Sequence, residues 1–300
     1  MSGTNSFTQK ALRASLILPQ GTFPGTGSNT LVLTGFRMSA HLTQAGNWTN
    51  LCDMQIWGMK QADMNAVTVL FGQGGMITAI NARALLVLES NDGSGWLQVF
   101  EGQFQQAQAD YRAMPDVCLT LQATTGAGQQ YLTASPTSFN GATDVASTAS
   151  QLASQMGFTF ENNGVTGTLN SPYLAGTAMD QFRQLHEAAG FDYYFDAKSK
   201  LIICPANQGR QNQQGSVILN KSSGLIGYPT IGQYGIEVDC LFQPAIELGA
   251  SITLQNSQVP GCDGTWFPYS MVHELETQKP GGKWQSHLMC SPFPSAQASS

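Results

Sequence analysis

Imidazole is both a common metal ligand and a common general base, which makes the four histidines, His41, His186, His273 and His287, the first candidates for chemistry. The run His273-Glu-Leu-Glu276 begins like a zinc-protease helix, but it lacks the second His one turn later and lies in a strand-like stretch. An isolated strand His is expected to face solvent or a subunit boundary. Asp192 and Asp196 flank an aromatic run, and at that spacing they share a strand face, as paired carboxylates for sugar hydrolysis would. Asp196 also opens the turn Asp196-Ala-Lys-Ser-Lys200, however, where Asp is expected on conformational grounds alone. Gly72-Gln-Gly-Gly75 and Pro280-Gly-Gly-Lys283 lack both the spacing and the following Ser/Thr of a phosphate loop. Asn47-Trp-Thr49 and Asn220-Lys-Ser222 match the glycosylation sequon, which carries meaning only in a secreted chain. With no Ser elbow, Cys/His pair or metal cluster, the sequence assigns no catalytic, cofactor-binding or metal residues and points away from an enzyme.

The cysteines Cys52, Cys118, Cys204, Cys240, Cys262 and Cys290 show no CxxC spacing. Cys118, Cys204 and Cys240 fall inside apolar runs, where a free thiol acts as a small buried hydrophobe. All are expected to be reduced core residues, not a disulfide framework. Only 11% of residues are charged, against roughly 25% in an ordinary soluble domain. Gln, Asn, Ser and Thr supply the polarity instead, a surface suited to being covered by neighbours. The net charge of −6 and the lack of a basic run argue against gripping nucleic acid. The apolar run Ala14–Leu18 is too short for a signal sequence, and no stretch is long enough for a membrane span. The expected site of synthesis is the cytoplasm.

The elements divide the chain into three parts. Residues 10–125 read as all-β, with short strands at Thr30–Leu33, Arg37–Thr43, Leu51–Trp57, Ala66–Phe71, Ala84–Glu89, Gln98–Gln103 and Cys118–Ala123 separated by Gly, Asn and Asp turns. The middle changes period. Thr143 or Asp144 caps a helix with Val145, Ala149, Leu152, Ala153 and Met156 on one face, stopped by Gly157. Thr177 opens a second helix through Ala178, Phe182, Leu185 and Ala189, ended by Gly190. A strand at Phe158–Phe160 and a hairpin of Phe191–Phe195 with Leu201–Cys204 complete an α-β-α-β-β module. Gln129–Gly141 and Asn207–Ser216 read as its linkers.

Beyond it, Ile236, Val238, Cys240 and Phe242 alternate with Glu237, Asp239, Leu241 and Gln243, the period of a half-buried strand. Pro244 and Gly249 interrupt the sheet before Ala250–Leu254 resumes it, and strands Tyr269–Thr277 and Lys283–Cys290 join across Lys279-Pro280-Gly281-Gly282. Trp57, Trp266 and Trp284 read either as barrel core and subunit contacts or as a sugar-binding platform. The second reading makes the chain a carbohydrate- or receptor-binding β-sandwich protein.

This order of parts, with the series Trp96–Phe104, Asp110-Tyr-Arg-Ala-Met-Pro-Asp116 and Val117–Ala123 and the C-terminal strands from Gly235 to Cys290, resembles the baseplate hub proteins of contractile-tailed phages. Late-control proteins and the hub part of secretion-system spike proteins share these parts. The resemblance implies a mainly β fold with an α/β insert: a tube-like β-barrel over residues 1–128, an α/β module over 142–206, a second tube-like barrel over 215–291 and a tail over 292–300. It further implies a structural homotrimer, a ring with pseudo-sixfold symmetry joining the tail tube or tube-initiator protein to a central spike carried on another polypeptide. The tape-measure protein is a further expected partner. DNA would pass through without specific binding, no cofactor is implied, and the chain would reside in the virion tail after assembly in the host cytoplasm. Glu101, Asp110, Glu237, Asp239 and Glu247 lie in or beside the strands and are candidates for the channel wall.

Overall fold

A computed structural model describes residues 9–45, 50–68, 84–112, 114–126, 134–211, 215 and 217–294. The chain opens with strands β1 (Ala11–Ile17), β2 (Thr30–Thr34), β3 (Met38–Gln44) and β4 (Leu51–Trp57), then helix α1 (Gln61–Val67) and strands β5 (Leu85–Asn91), β6 (Leu97–Asp110) and β7 (Cys118–Thr124). The middle holds β8 (Thr137–Ser138), β9 (Ala142–Asp144), α2 (Val145–Gln155), β10 (Thr159–Asn162), β11 (Thr168–Asn170), β12 (Tyr173–Leu174), α3 (Ala178–Ala189), β13 (Phe191–Phe195) and β14 (Lys200–Pro205). The last part holds β15 (Val217–Leu219), β16 (Leu225–Gly232), β17 (Gly235–Leu241), β18 (Ile252–Leu254), β19 (Gly264–Thr277) and β20 (Trp284–Ser291). The fold is mainly β with a small helical insert. Two compact units divide it, one comprising Met1–His41, Cys52–Ala123 and Glu274–Lys283, the other Leu42–Leu51, Thr124–His273 and Trp284–Ser300.

In the first unit the strand order runs β4-β7-β6-β5-β1-β2. Period-2 alternation creates it: Leu12, Ala14 and Leu16 of β1 are buried while their neighbours are half-exposed. Ala14 stands opposite Leu33 of β2 on one side and Leu88 of β5 on the other, so both registers keep apolar residues on one face. The strand expected over Ala66–Phe71 is corrected at its start. Ala66 and Val67 end α1, because Met64 and Val67 lie on its buried face at helical spacing. The rest of that run, like Gly72–Gly75 and the sequon at Asn47, lies outside the described residues.

In the second unit the helical module forms as its cap residues dictate. Asp144 accepts a hydrogen bond from the Ser147 amide at 2.7 Å to start α2. Thr177 and Asp180 form a capping box on α3, and Gly190 ends it in the left-handed region at φ 67°. The helices pack on a three-stranded sheet, β10-β14-β13, in which β10 runs parallel to β14. The last part of the chain forms the antiparallel run β16-β17-β20-β19, with β15 parallel to β18 and β18 antiparallel to β19.

The hairpin β13–β14 belongs to both cores of this unit. Phe191, Phe195, Leu201 and Ile203 join the apolar cluster beneath α2 and α3, with Phe182 and Leu185. Tyr194, Ile202 and Cys204 join the cluster formed by Val238, Cys240, Leu288 and Cys290. The unbroken apolar run Leu201-Ile-Ile-Cys204 therefore has a physical reason: both faces of its strand are covered. Each such fully buried side chain contributes about 2 kcal/mol of transfer free energy, so the shared hairpin joins module and strands through both of its faces.

Candidate functional site

The residues that could do chemistry are separated. His273 is 3% exposed, its Nδ1 lies 2.7 Å from Ser286 Oγ, and its ring meets Phe242 edge-on at 5.1 Å. The expectation that it faces solvent or a subunit boundary is thereby corrected: it shares the buried phase of β19 with Met271 and Leu275. That phase was present in the sequence as the signal. Burial pulls its pKa down to about 4, with Lys198 adding in the same direction. His41 is exposed, His186 Nδ1 lies 2.6 Å from the Phe191 carbonyl oxygen, and His287 Nδ1 lies 2.9 Å from Asp239 Oδ1. Among the described residues no group of His, Cys, Asp and Glu is arranged to hold a metal ion.

Asp192 and Asp196 are each occupied by backbone donors. Asp192 Oδ2 accepts from the Asn207 amide at 2.9 Å, while Asp196 Oδ1 accepts from the Lys198 and Lys200 amides at 2.9 and 3.0 Å. Burial raises the Asp196 carboxyl against those bonds and the charges of Arg210 and Lys198. All six thiols are buried and free, and burial pushes Cys204 and Cys240 up to about 12, so neither is a ready nucleophile. Pro280-Gly-Gly-Lys283 is a turn in which the Gly282 amide donates to the Lys279 carbonyl at 3.0 Å. Asn220 Oδ1 accepts from the Ser222 and Ser223 amides, closing a turn of its own. The indoles are likewise individually engaged: Trp57 lies 4.4 Å beneath the Arg37 guanidinium, Trp266 Nε1 donates to the Cys262 carbonyl at 2.8 Å, and Trp284 is buried edge-on to Phe242 at 5.8 Å.

Sequence reading missed the main charged cluster. Arg210 lies in the stretch read as a linker, yet only 1% of its side chain is exposed. Its Nε and Nη2 donate to the two carboxylate oxygens of Glu161 on β10, each at 2.9 Å, and Nη1 lies 3.3 Å from Glu247. Lys200 Nζ and Asn163 Nδ2 also reach Glu161 at 3.0 Å, and Lys198 stands 3.6 Å from Glu247. Burial alone would raise the Glu161 carboxyl, but the donors on it, Arg210 foremost, hold it down at about 2. Glu247, a candidate for a channel wall, is committed to this cluster.

The surface best fitted to recognition is the hairpin β16–β17. Leu225–Gly235 holds no charged residue, and β16 is exposed along most of its length. Ile231 is 83% and Tyr228 60% exposed. Sequence reading named no strand here because Gly227, Pro229 and Gly232 are strand breakers. The register shift between Ile226 and Thr230 accommodates them, with Pro229 on the terminal strand where no ladder donor is needed. A Cβ on Gly235 would lie 2.1 Å from the Cys290 carbonyl oxygen, so glycine lets the hairpin lie directly against β20. Glu237, Asp239 and His287 sit beside it as a small, solvent-accessible polar group. Uncharged terminal strands are normally covered, since bare ones invite aggregation.

Comparison with known proteins identifies the family. Residues 36–280 match the family described as baseplate hub gp41, and the chain belongs to that family. Its fold is similar to that of the 43 kDa tail protein of prophage MuSo2 from Shewanella oneidensis, at 10% identity and TM-score 0.57, over 96% of this chain and 98% of that one. It is also similar to a tail protein from Neisseria meningitidis MC58, at 9% identity and TM-score 0.56, over 94% of this chain and 96% of that one. A third likeness is to the Escherichia coli c3393 protein, a component of the type VI secretion system, at 7% identity and TM-score 0.54, over 88% of this chain and 76% of that one. Comparison with curated protein sequences gives no match.

Proposed function

We propose that this baseplate hub family member is a structural ring: three copies, each with two tube-like strand regions, presenting six docking positions to a tail tube on one side and a threefold spike on the other. The match of residues 36–280 to the baseplate hub family carries this reading. It is supported by the likeness to c3393, itself described as similar to the T4 tail proteins gp27 and gp5. The strand-rich regions on either side of the α/β module, residues 1–128 and 215–291, are the two tube-like parts. Tube or tube-initiator, spike and tape-measure proteins are the partners, and the location is the virion tail after assembly in host cytoplasm. DNA passes through the ring without specific binding.

A head-to-tail ring joins two different patches of each copy. The hairpin β16–β17 is one, and the terminal strand β2 of the first unit is the other. Thr30–Thr34 is equally free of charge and leaves Val32 54% exposed. Light scattering on the purified chain, alone and with its spike partner, tests the reading. A mass of three chains is expected, and dimers at every concentration with spike present overturn it.

A further inference from the structure

We propose that Arg210 is an orientation lock: a buried guanidinium that fixes the α/β module on the C-terminal strands, in a part of the chain that otherwise reads as a flexible linker. Three observations converge on it. The Arg210 side chain bonds Glu161 of the module and Glu247 of the loop before β18 simultaneously. Its backbone amide donates to the Gly249 carbonyl at 2.8 Å, and the residue bridges to Ala250. The next residue, Gln211, donates its amide to Asn163 Oδ1 at 3.0 Å. The chain leaving the module is therefore tied to the module and to the strands within two residues.

The shared hairpin β13–β14 joins the parts through both its faces, and Arg210 adds a directional tie at a second point, on the chain that leaves the module. Hydrophobic contact is non-directional, whereas a bidentate guanidinium–carboxylate pair fixes distance and plane together. The third contact, to Glu247, sets the rotation that the first leaves free. The carboxylates of Glu161, Glu247 and Asp196 compensate the cation where it is buried, while Lys198 and Lys200 pair with the same two glutamates. A buried ion cluster of this kind need not add net stability, because desolvation offsets much of the attraction. Its contribution is specificity of arrangement.

The experiment uses spin labels at two exposed positions of the second unit, Glu187→Cys on α3 and Lys221→Cys before β16, the native thiols being buried. Their distance distribution is measured in the full chain with Arg210, with Arg210→Met, and with Glu247→Gln, which removes one leg only. The lock predicts a distribution at least about twice as broad in Arg210→Met and an intermediate width in Glu247→Gln, with near-native circular dichroism. Hydrogen exchange at the Arg210 and Gln211 amides should accelerate at least tenfold while amides in β14 stay protected. An unchanged width in a folded Arg210→Met overturns the proposal. If Arg210→Met does not fold, Glu247→Gln decides alone: an unchanged width there overturns it. The outcome does not depend on the hub reading.

Discussion

The distal end of the Tyr194 ring occupies the space a side chain would take at Gly249: a Cβ built there would lie 2.4 Å from Tyr194 Cζ. Gly249 also has φ 72°, a left-handed conformation that L side chains avoid. The Tyr194 hydroxyl then donates to the Pro294 carbonyl at 2.7 Å, so one ring reaches from the module's hairpin across the strands to the end of the described chain.

Gly249→Ala should therefore be among the most damaging small substitutions. Overpacking of a buried ring and left-handed backbone strain each cost about 1–2 kcal/mol. Together they should lower Tm by roughly 5–10 °C. Tyr194→Phe removes only the hydroxyl bond and should cost about 1 kcal/mol. Calorimetry showing Gly249→Ala within 1 °C of the parent would refute the packing argument.

Stability should depend on pH in two separate windows. His273 has its folded pKa lowered to about 4, so below about pH 6.5 the unfolded chain binds a proton that the folded chain refuses. Its destabilisation is absent above pH 6.5, grows as pH falls to about 4, and then levels off at up to about 3 kcal/mol. Glu161, held at about 2, acts lower: its stabilisation is complete above the usual carboxylate range near 4.5 and is lost as pH falls toward 2. Denaturant unfolding from pH 7 to 4.5 should show a loss of stability toward acid that His273→Leu reduces. An unchanged loss in that variant would assign it to other groups.

What was legible in the sequence follows from how local the signals are. Asp144, Thr177 and Gly190 act on their own helices through caps, so the sequence places both helix boundaries. Alternation from Ile236 to Phe242 likewise gave the buried face of β17. Long-range pairing was not legible. Nothing around Arg210 marks it as the partner of Glu161, 49 positions away. The strand at Leu225–Gly232 was hidden by its own glycines and proline, and the exposed apolar residues there are meaningful only once β16 is seen at the end of its sheet.

Assembly should be sensitive to that hairpin and folding should not. Ile231→Asp places a charge on a residue 83% exposed in the single chain, so its folding cost should lie within about 0.5 kcal/mol. In a ring the same charge is buried without a partner at three equivalent contacts, which should weaken association at least tenfold. Light scattering should show a monomer whose Tm matches that of the dissociated parent. A trimer of parental affinity in Ile231→Asp would remove β16 from the interface.

The assembled protein should not hold DNA. Arg13, Arg37, Arg112, Arg183, Lys198, Lys200, Arg210, Lys279 and Lys283 each lie within 4.0 Å of a carboxylate. To contact a phosphate, each would have to surrender that partner, which cancels much of the gain from counterion release. With 13 basic residues against 19 acidic, the chain has no excess of cations from which to form a gripping patch. A conduit for a polyanion, as proposed, would benefit from this, because strong contacts would stall a strand in transit. Fluorescence anisotropy with a short duplex at physiological salt should give a Kd weaker than about 100 µM. Submicromolar binding that weakens steeply with added salt would reveal a basic surface formed only on assembly, and would replace the passive channel with one that engages its cargo.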